Sequence, residues 1–153
     1  MKLKVSIRPI RDEDREQLWI LSNDLEVRSQ SFCTNPIPWE VHCRWFAKHR
    51  ADPNWWAWVG MNEQNNPVGF VRFQIERNCA EVSVNVSKEA RGQGIGKQLI
   101  SKGCATLFSS TQVVEVAAKI KKDNFASISA FLASGFCKVP VDEEYFYFVL
   151  KVV

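Results

Sequence analysis

The run from Glu81 to Lys97 constrains the fold more than any other part of the chain. Val82, Val84 and Val86 alternate with Glu81, Ser83 and Asn85, which is the period of a strand. After Ser87-Lys88-Glu89-Ala90, the segment Arg91-Gly92-Gln93-Gly94-Ile95-Gly96-Lys97 opens a helix that reaches about residue 108, with Ile95, Leu99, Ile100, Ala105 and Leu107 in a helical apolar distribution. A strand that feeds a helix through alternate glycines brings bare backbone amides to the positive end of the helix dipole. Alternate glycines also make plain surface turns. Set between a strand and a helix, they suit an anion, and a pyrophosphate fits the need. The letters match neither GxGxxG nor GxxxxGK[ST], so the dinucleotide fingerprint and the Walker loop are excluded.

The remaining segments supply a sheet and its cover. Residues 3–8 alternate Leu3, Val5 and Ile7 against Lys4, Ser6 and Arg8, a strand stopped by Pro9. Asp12 is the expected N-cap of a helix over 14–23. Pro36 and Pro38 interrupt helical geometry, and Pro38 then opens a second helix to about residue 49, ending on the dipole-complementing Lys48, His49 and Arg50. Segments 55–61 and 68–76 read as strands around the turn formers at 63–67. Segment 113–118 reads as a short strand apolar on both faces. Residues 124–133 form a helix with Gly135 as its left-handed cap, and 136–139 and 145–150 complete the sheet. The order β, α, α, β, β, β, α, β, α, β, β, without a repeat or a linker, predicts one α/β domain over residues 1–153.

Composition narrows the function classes. The net charge of +3 arises from 20 basic and 17 acidic residues with no run of one sign, so no nucleic-acid interface is expected, and the mild excess suits a small anionic ligand. Cys33, Cys43, Cys79, Cys104 and Cys137 show no CxxC and no Cys/His ligand spacing, so they are read as free thiols in a reducing cytosol and no metal is expected. Residues 1–9 lack the apolar core of a secretory signal, and no apolar run approaches the roughly 18 residues of a membrane span. A cytoplasmic protein without membrane attachment is therefore expected.

Arg91-Gly92-Gln93-Gly94-Ile95-Gly96 meets the signature [RQ]xxGx[GA], and in this context the chain resembles the GNAT superfamily of N-acetyltransferases. The resemblance implies a central mixed, mostly antiparallel sheet, splayed at the coenzyme site, with helices on both faces. It implies acetyl-CoA as co-substrate, bound by Arg91, Gly92, Gln93, Gly94, Ile95, Gly96 and Lys97. Val84, Asn85 and Val86 are similar to the strand that pairs with the pantetheine arm. Asn124 and Ser127, followed by Gly135-Phe136, are similar to the segment lining the coenzyme's other side.

Amine acetylation needs a base, donors for the thioester carbonyl and a proton for the thiolate. By the resemblance, Glu81 receives the proton of the amine. His42 and His49 are rival bases because an imidazole titrates near pH 6.5. His49 reads as a solvated helix-end cation, whereas His42 lies in the acceptor half. A Cys-His amidase has no supporting motif, since adjacent His42 and Cys43 on a helix face apart. Phe131 stands seven residues after Asn124, where the family commonly has a proton-donating tyrosine; Ser127, Ser134 and Tyr145 are the alternatives.

The acceptor half, from Asn23-Asp24-Leu25-Glu26-Val27-Arg28 through Phe32, Ile37 and His42 to Trp45-Phe46, resembles bacterial acetyltransferases of nucleotide-linked aminosugars of the pseudaminic-acid pathway type. That resemblance implies a small-molecule amine acceptor, a UDP-aminosugar. Arg28 would fork a phosphate while Phe32, His42 and Trp45 contact the acceptor. Acetylation of a protein or peptide N-terminus and a noncatalytic acyl-CoA-binding module are the alternatives.

Overall fold

In a computed structural model, which describes residues 3–139 and 144–153, alternating apolar side chains on seven strands build a sheet that helices cover on both faces. The strands are β1 (Ser6–Pro9), β2 (Trp55–Met61), β3 (Pro67–Glu76), β4 (Cys79–Val86), β5 (Glu115–Lys121), β6 (Cys137–Val139) and β7 (Tyr145–Lys151), in the spatial order β1-β2-β3-β4-β5-β7-β6. Every neighbouring pair is antiparallel except β4 with β5. The helices are α1 (Arg15–Ser22), α2 (Leu25–Ser29), α3 (Trp39–Arg50), α4 (Ile95–Ser110) and α5 (Phe125–Ala133).

The period of two sorts the strands into two cores. Trp58 of β2 and Val71 and Phe73 of β3 pack with Leu99, Ile100, Cys104 and Leu107 of α4 and Phe131 of α5. Trp55, Ala57 and Val59 of β2 and Phe70 of β3 meet Leu18 and Leu21 of α1 and Phe46 of α3. Gly60 permits the close seat of α4, because a Cβ there would lie 2.4 Å from the Leu99 side chain. Cys104, on the sheet-facing side of α4, is 2% exposed, and burial pushes its thiol pKa up to about 12.

Several boundaries differ from the sequence reading. The first helix starts at Arg15 after a single 3-10 turn, and the structural acid is Asp14, not Asp12. Asp14 accepts the Arg8 guanidinium at 2.7 and 2.8 Å and the Arg11 amide at 2.7 Å, whereas Asp12 pairs with Arg50 on the surface. Pro38 is the residue before α3 rather than its first turn. β5 lies two or three residues further along than expected, and only Val116, Ala118 and Ile120 are buried, so its other face is free to carry Lys119 and Lys121. The five-residue α2 has no counterpart in the sequence reading; Asp24 caps it by accepting the amides of Glu26 and Val27. Among the described residues no helix is long and apolar enough to cross a membrane, and no group of His, Cys, Asp and Glu is placed to hold a metal.

Candidate active site

The sheet opens where β4 meets β5. The two strands pair in parallel only at Cys79 with Glu115, Ala80 with Val116, and Glu81 with Ala117. Beyond Glu81 the edge of β4 facing β5 has no strand partner among the described residues, while its other edge remains paired to β3 through Val86. Unpaired backbone groups on a strand edge are a template for an extended ligand.

The glycine turn lies at the end of that free edge. Gly92 and Gly94 have φ of +76° and +77°, the left-handed region that a side chain disfavours, and Gly94 is the cap residue of α4. Among the described residues no side chain caps this helix, so the first-turn amides are left for a ligand. The Arg91 side chain turns away from the turn: its guanidinium donates to Asp24 at 2.7 Å and to Glu26 at 2.6 Å, clamping α2 to the glycine segment. The Arg91 guanidinium in turn holds the Asp24 carboxyl below the usual carboxylate range.

On the α1/α3 side of the gap an open cleft of about 330 Å³ is lined by Phe32, Glu81, Ala117, Ala118, Lys119 and Tyr147. Thus one opening in the sheet has a carboxylate at its closed end and a helix N-terminus at its mouth.

The model of the acetyltransferase (GNAT) domain family matches residues 4–137. The chain belongs to the GNAT acetyltransferases. It is an acetyl-CoA-dependent N-acetyltransferase. The fold is similar to that of a domain from Methanocaldococcus jannaschii, with 23% identity and a TM-score of 0.86 over 98% of this chain and 99% of that one. It is similar also to a spermidine N-acetyltransferase from Vibrio cholerae solved with CoA and spermine, with 18% identity and a TM-score of 0.86 over 96% and 95% of the two chains. No curated protein matches the chain significantly by sequence.

For the coenzyme of this GNAT domain, the uncapped α4 and the free β4 edge offer the donors that a pyrophosphate and an amide-bearing arm require. Asn124 is the N-cap of α5, its side chain accepting the Ser127 amide at 3.3 Å, so both residues stand at a helix start. Phe131 is 3% exposed and packs edge-on against Phe136 with ring centroids 5.0 Å apart; the Ser134 hydroxyl donates to the Ala130 carbonyl.

Two acceptor-side expectations are corrected. Arg28 does not point a free fork at a ligand: Nε donates to the Ser22 carbonyl at 2.6 Å, Nη1 to the Cys33 carbonyl at 3.0 Å and Nη2 to the Ser31 hydroxyl at 3.1 Å. It staples the α2–α3 connection. Arg28→Ala is therefore expected to lower stability by about 2 kcal/mol, given roughly 1.5–3 kcal/mol per charge-assisted hydrogen bond, and to weaken coenzyme and acceptor together. Thermal unfolding beside both KM values checks this; a loss confined to the acceptor would return Arg28 to the binding site.

His42 is 2% exposed, and its Nε2–H donates to the Arg15 carbonyl at 2.7 Å, so it fastens α3 to α1 instead of facing the cleft. Burial pushes its pKa below the ordinary imidazole value, the bond to the Arg15 carbonyl opposing this. The unfolded chain then binds the proton more readily, so this contribution to stability is complete above about pH 6.5 and is lost as the pH falls below that. Melting temperature is expected to drop on acidification from pH 7 to 5, and less so in a folded His42→Gln protein; equal slopes would remove His42 as the cause.

Phe32 does line the cleft, whereas Trp45 is not among its lining residues and packs against His42, His49 and Trp55 under the Arg72 side chain, 5.1 Å from the guanidinium. Arg72, Lys119 and Tyr147 escaped the sequence reading. Their one visible signal was charge or hydroxyl on a strand otherwise apolar, as in Phe70-Val71-Arg72-Phe73 and Tyr145-Phe146-Tyr147-Phe148.

Proposed function

We propose that this enzyme acetylates the primary amine of a nucleotide-linked aminosugar, with Glu81 receiving the proton of the amine. The observation that carries the reading is the position of Glu81 on the last rung shared by β4 and β5, where its side chain lines the cleft beside the free edge of β4. Acetyl-CoA supplies a thioester as acyl donor. The amides opening α4 bind its pyrophosphate, and the β4 edge from Val82 to Val86 orients the arm and hydrogen-bonds the thioester oxygen. Phe32 and Tyr147 border the space left for the sugar. Glu81 takes the proton from nitrogen as the nitrogen–carbon bond forms and the carbon–sulfur bond breaks; sulfur leaves as thiolate and is protonated by solvent. Phe131 has no proton to give, and a thiol with pKa near the roughly 8.5 of free cysteine is a tolerable leaving group without an acid.

The run of residues 23–46 supports an aminosugar acceptor; polyamines and peptide N-termini are the rival amines. Incubation with acetyl-CoA and a UDP-aminosugar, a peptide or spermidine, followed by thiol release and mass spectrometry, separates them. The expected result is one acetyl group on the aminosugar nucleotide. Acetylation of the peptide alone would move the assignment to protein N-termini, and acetylation of spermidine alone would move it to polyamines.

A further inference from the structure

We infer that the acceptor carries a carboxylate or phosphate beside its amine, that Arg72 pairs with this anion, and that polycations are poor acceptors. The inference rests on the acetyl-transfer reading above and assigns the charge of its substrate. Arg72 lies at the centre of β3, on the face that Phe70 gives to the α1/α3 core, where the alternation calls for an apolar side chain. It faces Ser83 across the strand pair while Gln74 faces Glu81, so Arg72 is the diagonal same-face neighbour of Glu81, about 7–8 Å away and within reach of a long side chain.

The guanidinium is nevertheless unanswered. It lies over the Trp45 ring, its Nε is buried with no hydrogen-bond partner, and it forms no ion pair with any described residue. A half-buried charge without a hydrogen-bonded counter-charge is costly, and a planar fork answers a carboxylate or phosphate in two parallel bonds. Burial pulls the Arg72 pKa down to about 10, with Glu81 opposing and Arg28 adding to the fall, so the group stays charged at neutral pH.

The surroundings sharpen the selection. The carboxylates of Asp24 and Glu26 are engaged by Arg91, which leaves Glu81 to face Arg72 and Lys119. The Lys119 ammonium sits 4.7 Å from the Phe32 ring, 4.4 Å from Tyr145 and 6.0 Å from Tyr147. The aromatic faces that would hold a substrate ammonium are filled by one from the chain itself. A second free cation would meet repulsion with no cage left to enter.

Glucosamine 1-phosphate, glucosaminuronic acid, glucosamine and spermidine test this, with kcat/KM read from acetyl transfer and affinity read by calorimetry in the presence of coenzyme A. At least one anionic sugar is expected to exceed glucosamine about tenfold or more, as a charge-assisted pair allows, and spermidine to fall below it. The better anion identifies phosphate or carboxylate as the source. Arg72→Met should collapse the anion preference toward one, Arg72→Lys should reduce it partway, and Lys119→Gln should raise the spermidine value relative to the anionic sugar. Equal affinity for charged and neutral sugars, an unchanged preference in a folded Arg72 variant, or spermidine as the best ligand would overturn the inference. Absence of transfer to every amine would instead defeat the acetyl-transfer reading, and the calorimetric preference still decides the role of Arg72.

Discussion

Gly96→Asp is expected to raise the KM for acetyl-CoA by about a hundredfold while the protein stays folded, because the substitution acts on helix and ligand in opposite directions. A Cβ at Gly96 would rest 3.7 Å from Ala130 and 3.7 Å from Val86, ordinary contact distances, and the residue does not have the left-handed φ of Gly92 and Gly94. A carboxylate in the first turn of α4 favours the helix by roughly 0.3–1 kcal/mol through its dipole. The same carboxylate competes with a pyrophosphate for the amides and repels it. At Gly94 the comparison would be clouded, since a side chain at φ +77° costs roughly 1–2 kcal/mol by itself. Steady-state kinetics beside a thermal melt suffice. An unaltered KM in a Gly96→Asp protein that melts normally would remove the pyrophosphate from the start of α4.

The second large effect is expected at Glu81. Replacing its carboxylate by the isosteric amide in Glu81→Gln keeps the shape of the cleft and removes the proton acceptor, so kcat should fall by roughly 10²-fold or more, with coenzyme binding little changed. Glu81 is exposed and lies opposite Gln74, and no hydrogen bond of the described core depends on it, so stability should hold. A pH–rate profile tests the assignment directly: the acidic limb of kcat/KM should flatten in the variant. A near-normal profile would transfer proton removal to water or another group.

What was legible in the sequence divides along a physical line. The glycine turn was readable because the backbone freedom it uses is written in residue identity at Gly92 and Gly94. Secondary structure on either side followed from period. The cleft lining was not readable, because Phe32, Glu81, Lys119 and Tyr147 come from a loop and three strands, and only strand register brings them to one face. Arg28 and His42 show the converse: residue types suited to binding and catalysis that tertiary contacts had already engaged. The short α2 was missed since five residues give no period, although Asp24 before Leu25-Glu26-Val27 is a capping signal in its own right.

The silent thiol within α4 gives the enzyme an internal clock. Cys33, Cys79 and Cys137 are exposed and Cys43 is half-buried, so these four thiols react with an aromatic disulfide ahead of Cys104 and are exhausted before its labelling is followed. Cys104 has almost no thiolate at assay pH and no route for the reagent, so it should react only when α4 lifts from the sheet. A ligand held at the start of that helix must slow this labelling by the factor 1 + [L]/Kd. The labelling rate of one buried sulfur thus converts into a coenzyme dissociation constant without any turnover, for variants with no measurable activity as readily as for the native chain.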